Sequence, residues 1–495
     1  MTANVPGVDG KLDLLSRIRH VADQRGDDAA LLFVDHRGEA EVLSWRALAV
    51  TVSEQVRRIR REAEPGTVIT AAARSTGASA VTAFLAVLAA GRTLFPLDQR
   101  GPASSHDRLT EEVRRQGGLV DNVESLLDRK ATAPGANGAV ATDLRNGPFT
   151  AGGHIMTSGG STGFPKLIYQ PGAPHYDSRN VPSALLRRTG WRNGQVQLLA
   201  GPLHHAAPFS RLIDGILSGN TLVIPQIFKS DLILDIVDEF KVEWMQLTPS
   251  NMQLLDDALG RNPGAFQSVR GVLHSAAPCP VDTKRTWIDA IGGARIFEMY
   301  TSTENLGMTL CDGDEWLARP GTVGRGFFTR LRILDGEGVP LPPDQTGEVY
   351  MRSIQRSRSS PDESRLSRDG YESVGDRGHL DEDGYLYLSG RREDLVIVGG
   401  ENVYVSEVTS AILTCSGIAD AAVVEVPDPL LGSRLCALVV RRPHTDLTVR
   451  DVMDHSLRRL APYKVPATIR FIDSLPRTEA GKLDRNSLSH LMESP

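Results

Sequence analysis

Short apolar runs alternate with amphipathic stretches through the first three-quarters of the chain. The segments AALLFVD (29–35) and GTVITAAA (66–73) predict strands, because each is an apolar run bounded by turn residues. Between them, SWRALAVTVSEQVRRIRR predicts an amphipathic helix that begins behind a Ser44 N-cap. Further strands are predicted at VQLLAG, NTLVIP, VEWMQLT and ARIFEMY. Apolar strands separated by helical stretches are typical of parallel βαβ units.

The pattern changes towards the C-terminus. The runs GEVYMR and GYLYLSG predict strands of a smaller β-rich part, and the polar segment between them predicts a surface loop. In the last hundred residues, apolar runs such as ADAAVVEV and RLCALVVRR alternate with helical stretches such as VRDVMDHSLRRL. These patterns predict an α/β fold class: a large N-terminal domain (1–391) of parallel βαβ units with a smaller β-rich part, and a small α+β C-terminal domain (392–495).

Composition narrows the class of protein. The chain has 495 residues and a formal net charge of -6, which gives no basic surface for nucleic acid. Its four cysteines form no C-x-x-C pair, which argues against a zinc site or disulfide framework. The N-terminus lacks the apolar core of a signal peptide, and the most apolar run (78–90) is too short to span a membrane. These features predict a cytoplasmic, enzyme-sized protein without a membrane span.

The segment TSGGSTGFPK (157–166) is the first candidate for chemistry. Its glycines let backbone N–H groups converge on anionic oxygens, its hydroxyls add donors, and Lys166 adds a charge that reaches an outer phosphate. It is not a Walker A loop, which ends in Gly-Lys-Ser/Thr. The residues 159–163 also fit the G-x-S-x-G elbow of serine hydrolases, with Ser161 as nucleophile. A plain surface loop is the third interpretation.

Several segments in chain order resemble one family. They are AVTAFLAVLAAGRTLFPLDQRGP, TSGGSTGFPK, PLHHAAPF, HSAAPCP, YTSTE, VGDRGHLDEDGYLYLSGRREDLVIVGGENVYVSEV and PRTEAGKLDR. Together they are similar to the motifs of the adenylate-forming superfamily, in particular acyl-CoA synthetases and aryl-CoA ligases. The resemblance implies an α/β fold with a large N-terminal domain of doubly wound mixed sheets plus a small β-barrel-like part, and a mobile small α+β C-terminal domain. It also implies an enzyme that joins a carboxylic acid to AMP with ATP and Mg²⁺, and then transfers the acyl group to coenzyme A.

The resemblance also implies roles for residues around the triphosphate. The phosphate-binding residues would be Thr157, Ser158, Gly159, Gly160, Ser161, Thr162, Gly163 and Lys166. Glu304 would bind Mg²⁺, which prefers hard oxygen ligands, and Thr303 would donate to phosphate. Lys482 would bridge the attacking carboxylate and the α-phosphate, where a cation offsets the repulsion of two anions.

Other roles implied by the resemblance concern the nucleoside and the moving domain. Adenine would lie against Ser275, Ala276, Ala277 and Pro278, with Tyr300 on its other face, while Asp376 and Arg391 would bind ribose or phosphate. The hinge between the two domains would be Glu393, where relatives usually carry aspartate or lysine, and Gly399, Gly400 and Glu401 would be brought to the CoA side. The family's glycine after the tyrosine is Thr301 here.

The implied acyl pocket is mostly apolar. It contains His204, Phe209, Ala276, Met299, Leu306, Gly307 and Met308, with His205 as the gate residue. The segments SGGSTG and HHAAPF resemble those of synthetases for bulky aryl, alicyclic, terpenoid or steroid-like acids, which implies such a substrate, in secondary metabolism. Three alternatives stay open: adenylation with another acceptor or substrate (a carrier protein, or nitrite for arylamine diazotisation), serine hydrolysis, and a non-catalytic nucleotide-binding relative. The expected state is a monomer or homodimer.

Overall fold

The chain divides into two compact units in the computed structural model. The first contains Met1–Gln246 and Asp257–Val272, and the second contains Leu247–Asp256 and Leu273–Pro495. The residues that the structure describes are 10–72, 77–97, 103–128, 149–157, 167–301, 306–354, 369–391, 395–398, 401–428, 432–443, 445–477, 483–484, 487–488 and 491.

The first unit is built from parallel strands and helices. Its helices are α1 (Leu14–Arg25), α2 (Trp45–Glu62), α3 (Ala78–Ala89), α4 (Ala103–Arg115), α5 (Val123–Asp128), α6 (Ala184–Arg188), α7 (Ala206–Ser218) and α8 (Ser230–Glu239). Its strands are β1 (Lys11–Asp13), β2 (Ala29–Val34), β3 (Ala40–Ser44), β4 (Thr67–Ala72), β5 (Thr93–Leu97), β6 (Leu119–Asn122), β7 (Gly153–Thr157), β8 (Leu167–Pro171), β9 (His175–Asp177), β10 (Val196–Leu198), β11 (Thr221–Pro225) and β12 (Trp244–Leu247).

Two larger sheets organise these strands. One has the order β6-β4-β5-β7-β8, in which only the edge strand β8 runs antiparallel to its neighbour. In the other, β2, β11, β10 and β12 are parallel neighbours and β3 closes the edge in the antiparallel sense. The strands β1 and β9 form a separate antiparallel pair. Parallel strands require covering helices, and the predicted βαβ pattern is confirmed.

Local signals explain where elements begin. The helix α2 starts after Ser44, whose side chain accepts a hydrogen bond from the Ala47 N–H, as the sequence predicted. Its residues Leu48, Val52 and Val56 lie on one face and are buried in the main core of this unit. The apolar run at 78–90 forms the buried helix α3. Among the described residues, no helix is long and apolar enough to cross a membrane.

The second unit is dominated by antiparallel strands. It contains the start of α9 (Pro249–Arg261) and the end of β13 (Gly271–His274), followed by α10 (Val281–Ile291), β14 (Ile296–Thr301), β15 (Met308–Asp312), α11 (Gly313–Ala318), β16 (Thr322–Gly326), β17 (Thr329–Leu334), β18 (Gly347–Ser353), β19 (Glu372–Leu380) and β20 (Tyr385–Arg391). The strand order is β14-β15-β16-β20-β19-β18-β17, and every adjacent pair is antiparallel. A core that includes Ile333, Val349 and Leu386 lies on this sheet.

The C-terminal segment has a hydrophobic core of its own. Its elements are β21 (Leu395–Val398), β22 (Glu401–Tyr404), α12 (Val405–Leu413), β23 (Ile418–Asp428), β24 (Gly432–Arg441), α13 (Val449–Leu457) and β25 (Thr468–Phe471). Val403, Ile412, Ala437 and Val452 belong to one buried cluster. The predicted mixed α/β fold with a small α+β C-terminal part is confirmed. The domain boundary at residue 391 falls inside the second unit and stays a prediction.

Candidate active site

The predicted adenine loop connects the end of β13 to the start of α10. Ser275 is buried, whereas Ala276, Ala277 and Pro278 are exposed. Ala276 adopts a backbone φ of 79°, in the left-handed region that an L-residue with a Cβ rarely occupies. An exposed, strained loop of small residues offers backbone surface against which a flat base can lie.

Tyr300 and Asp376 are brought together by two strands that are far apart in sequence. The Tyr300 hydroxyl, at the end of β14, donates a hydrogen bond to Asp376 Oδ2 on β19. Asp376 is 8% exposed and pairs across the ladder with Arg391, the last residue of β20. The fold therefore places Tyr300, the predicted adenine-stacking residue, in direct contact with Asp376, the predicted ribose-binding carboxylate. The backbone of Arg391, the third predicted residue, lies beside Asp376.

A hairpin-like pair of strands carries part of the predicted acyl pocket. Met299, Tyr300 and Thr301 on β14 lie opposite Leu310, Thr309 and Met308 on β15.

The glycine in this pair is closely packed. The Thr301 hydroxyl donates to the Gly307 carbonyl at 2.8 Å, so the residue that replaces the family glycine helps to close the strand end. A Cβ on Gly307 would lie 2.5 Å from the Thr329 methyl carbon, which explains why glycine is needed there. Leu306 is buried and Met308 is half-buried.

The remaining acyl-side residues lie in the first unit, around the start of α7. His205 is the N-cap residue of this helix, and its ring centre is 4.2 Å from that of His204. Phe209, one turn later, is 1% exposed and packs against the ring of His154 at 4.8 Å between centroids. Thr157, the first residue of the predicted phosphate loop, ends β7 and is half-buried.

His154 is a residue that the sequence did not single out. It lies on β7, three residues before Thr157, and burial lowers the pKa of its imidazole to about 4. The ring is therefore uncharged at neutral pH. The sequence gives no signal for the burial and lowered pKa of His154, because its contact with Phe209 joins residues from two distant elements.

A buried ionic cluster lies behind the adenine loop and was also missed. Lys284 on α10 pairs with Glu298 on β14, and the Lys284 ammonium lies 4.8 Å from the centre of the Trp316 ring. His274, the last residue of β13, is fully buried. Burial, together with the nearby charge of Lys284, lowers the pKa of His274 well below its ordinary value. Burial raises the pKa values of two thiols, on Cys279 and Cys311, which also interact electrostatically with Lys284 and Glu298.

Other predicted residues lie outside the described part of the chain. They are Ser158, Gly159, Gly160, Ser161, Thr162, Gly163, Lys166, Thr303, Glu304, Glu393, Gly399, Gly400 and Lys482. For Arg391 and Glu401 the structure describes the strand backbone only. Among the described residues, no cluster of three or more His, Cys, Asp or Glu side chains could hold a metal ion, and the four cysteines are free thiols. The assignment of Mg²⁺ to Glu304 therefore stays a prediction from sequence.

Comparison with known proteins identifies the family. Residues 153–359 match the model of the AMP-binding enzymes, and residues 407–482 match that of the AMP-binding enzyme C-terminal domain. The 2-succinylbenzoate–CoA ligase of Bacillus subtilis is 30% identical over 340 residues, which cover 68% of each chain. The sulfoacetate–CoA ligase of Cupriavidus necator is 32% identical over 303 residues, or 60% of this chain and 56% of that enzyme.

The fold comparison agrees with the sequence comparison. The solved structure of o-succinylbenzoate coenzyme A synthetase from Bacillus subtilis, in complex with AMP, superposes with a TM-score of 0.74 at 22% identity. The match covers 97% of this chain and 98% of that one. The family matches, the relatives and the shared fold lead to one conclusion: this chain is an enzyme of the AMP-binding family in the adenylate-forming superfamily.

Proposed function

We propose that this enzyme is an AMP-forming acyl-CoA synthetase, which adenylates a carboxylic acid with Mg·ATP and then forms a thioester with coenzyme A. The observation that carries the proposal is the hydrogen bond from Tyr300 to Asp376. The strand β13, which leads into the strained loop at Ala276, neighbours the Tyr300 strand β14 in the sheet. These groups are suited to a nucleoside, and two relatives of this chain are named as CoA ligases.

In the first half-reaction, a carboxylate oxygen attacks the α-phosphorus of ATP and the bond to pyrophosphate breaks. Asp376 accepts hydrogen bonds from the ribose hydroxyls, for which a carboxylate with two oxygens is well suited. Tyr300, held by Asp376, packs against the base. Donors of the loop 157–166 and Lys166 stabilise the departing phosphates, and Lys482 lies between the two anions that react. Bound Mg²⁺ supplies charge neutralisation on the phosphate oxygens.

In the second half-reaction, the thiolate of coenzyme A attacks the acyl carbon and AMP leaves. A lysine needed between carboxylate and phosphate obstructs the entry of the thiol. The C-terminal domain (392–495) therefore swings about Glu393, which removes Lys482 and brings Gly399–Glu401 to the reaction centre. Such a domain movement between steps directs the acyl adenylate to the second half-reaction and excludes water from it.

The acid is proposed to be a bulky and largely apolar one. In the second unit, Leu306 is a buried apolar side chain, and Met299 and Met308 are partly exposed on the paired strands β14 and β15. In the first unit, the uncharged ring of His154 packs against the buried side chain of Phe209. Such surroundings favour an acid with an aryl or alicyclic tail over an acid with a second negative charge, because a buried unpaired charge is strongly disfavoured.

A panel of carboxylic acids tests this function. Pyrophosphate release is measured with Mg·ATP, with and without coenzyme A, and coenzyme A consumption is followed in parallel. The proposal expects acid-dependent pyrophosphate release and thioester formation with aryl or alicyclic acids. Release without coenzyme A consumption would instead indicate another acceptor or substrate, such as a carrier protein or nitrite. Ester hydrolysis that needs no ATP and disappears in Ser161→Ala would establish the hydrolase alternative.

A further inference from the structure

The buried pair Lys284–Glu298 needs an explanation beyond stability. Lys284 is 1% exposed and Glu298 is 8% exposed, so both charges are removed from water. The desolvation of a buried ion pair often exceeds the attraction between its members, and apolar side chains of similar volume are frequently as stable or more so. The Trp316 ring faces the Lys284 ammonium and stabilises it by a cation–π contact, but this does not account for the presence of the pair.

The pair joins the two elements that flank the adenine loop. Lys284 lies on the first turn of α10, and its backbone N–H donates to the Pro280 carbonyl at 3.0 Å, two residues after the loop ends. Glu298 lies on β14, two residues before Tyr300. Because alternate residues of a strand point to the same face, the carboxylate and the tyrosine ring project from one face of β14. The ion pair therefore fixes the start of the helix relative to the strand that carries Tyr300.

A second buried polar side chain lies at the other end of the loop. His274 is fully buried at the end of β13, which neighbours β14 in the sheet, and neither of its ring nitrogens has a hydrogen-bond partner among the residues that the structure describes. Burial, and then the charge of Lys284, lower the pKa of this imidazole and keep it neutral. Between His274 and the ion pair, Ala276 holds a strained left-handed conformation, which persists only where the surroundings determine the backbone.

We propose that Lys284 and Glu298 are positioning residues for the adenosine part of ATP. This inference rests on the proposed adenylation, and it assigns to the buried pair the task of holding Ala276–Pro278 and Tyr300 at the separation that a purine ring requires. A directional ion pair can define this separation, whereas an apolar pair of equal volume only fills the space. Neither residue touches the reacting atoms, so both act through the loop and the tyrosine.

The test uses the full-length chain and measures AMP binding by calorimetry, together with KM values in the pyrophosphate assay and the melting temperature. The double variant Lys284→Met/Glu298→Leu replaces the pair by apolar side chains and is expected to keep a melting temperature near that of the wild type. We expect its affinity for AMP to fall about tenfold and its KM for ATP to rise about tenfold. The KM for the acid should change by no more than about twofold.

A second variant and two controls separate positioning from general damage. Glu298→Gln keeps an acceptor for Lys284 and should weaken AMP binding by at least about threefold, even if the double variant does not fold. Lys241→Met breaks an exposed pair with Asp238, whose atoms are 2.6 Å apart, and should leave AMP binding unchanged. Ile233→Ala lowers the melting temperature through a cavity in the first unit and should also leave AMP binding unchanged.

The possible results distinguish a failure of the positioning role from a failure of the proposed function. AMP binding within about twofold of the wild-type value in folded Glu298→Gln and in the double variant would overturn the positioning role. A parallel rise of the KM values for ATP and acid would do the same, because it would indicate a general disturbance. A wild-type chain that binds AMP but releases no pyrophosphate with any acid would count against the proposed function alone. A wild-type chain that does not bind AMP would overturn both.

Discussion

At the scale of single residues, the predicted nucleoside site depends on groups held in unusual surroundings: Ala276 is strained, Asp376 is buried and bonded to Tyr300, and His274 is kept neutral. In the first unit, burial keeps His154 neutral. Sequence motifs predicted Ala276, Tyr300 and Asp376 as a nucleoside site, and the fold places the last two in contact. They could not predict the histidines or the pair Lys284–Glu298, because burial and contact across elements determine those properties.

We expect the hydroxyl of Tyr300 to affect the KM for ATP more than the KM for the acid. Tyr300→Phe removes the hydrogen bond to Asp376, and a hydrogen bond to a charged group contributes about 1.5–3 kcal/mol. We expect the KM for ATP to rise by roughly tenfold or more. Tyr463→Phe, which changes an exposed tyrosine in the C-terminal segment, is the control. Equal KM values for ATP in Tyr300→Phe and wild type would contradict the role given to this contact.

The neutral state of His154 predicts a loss of stability in acid. Its pKa is about 4 in the folded chain, below the value of roughly 6.5 expected when unfolded, so the unfolded chain binds the extra proton first. Stability therefore falls as the pH drops from about 6.5 to about 4, by up to roughly 1.4 kcal/mol per pH unit. His154→Gln should reduce this slope in thermal unfolding measured across that range, with the exposed His36→Gln as the control. An unchanged slope would show that His154 does not contribute.

At the scale of elements, strand ends and helix starts place the chemistry. The strand β7 leads into the glycine-rich segment, α7 begins directly after its N-cap residue His205, and α10 begins just after the adenine loop. Apolar patterning predicted the strand β14 that carries Tyr300, and Ser44 predicted the start of α2. The helices α7 and α10 begin without a side-chain cap hydrogen bond and gave no such signal. The meeting of β14 with β19 could not be predicted, because no local pattern specifies which distant strands approach one another.

The strand β7 tolerates no side chain at its first residue. Gly153 has a φ of 121°, and a Cβ there would lie 2.1 Å from the Gln170 carbonyl oxygen on β8. Gly153→Ala should therefore cost roughly 2 kcal/mol or more and lower the melting temperature by several degrees. Gly336→Ala is the matched control, since its Cβ would meet no atom within 4 Å. A Gly153→Ala chain that melts with the wild type would contradict the tight pairing of β7 and β8.

At the scale of the whole molecule, the chain combines a predicted nucleoside site with a C-terminal segment that has a hydrophobic core of its own. The alternation of apolar runs and helical stretches in the last hundred residues predicted this organisation, whereas the contacts of the phosphate loop and of Lys482 stay predictions from sequence. The Lys482→Ala variant is expected to lose adenylation by at least about a hundredfold, because the two reacting anions then lack a cation between them. It should still convert a supplied acyl adenylate to the thioester. Normal adenylation by this variant would remove Lys482 from the mechanism.

The most direct test of the central claim is to detect the acyl adenylate itself. The purified chain is incubated with Mg·ATP and aryl or alicyclic acids in the absence of coenzyme A, and the products are identified by mass spectrometry. The account predicts acyl-AMP and an equal amount of pyrophosphate, both dependent on the acid and strongly reduced in Asp376→Ala. Hydrolysis of ATP without acyl-AMP for every acid tried, or an undiminished yield in Asp376→Ala, would contradict it.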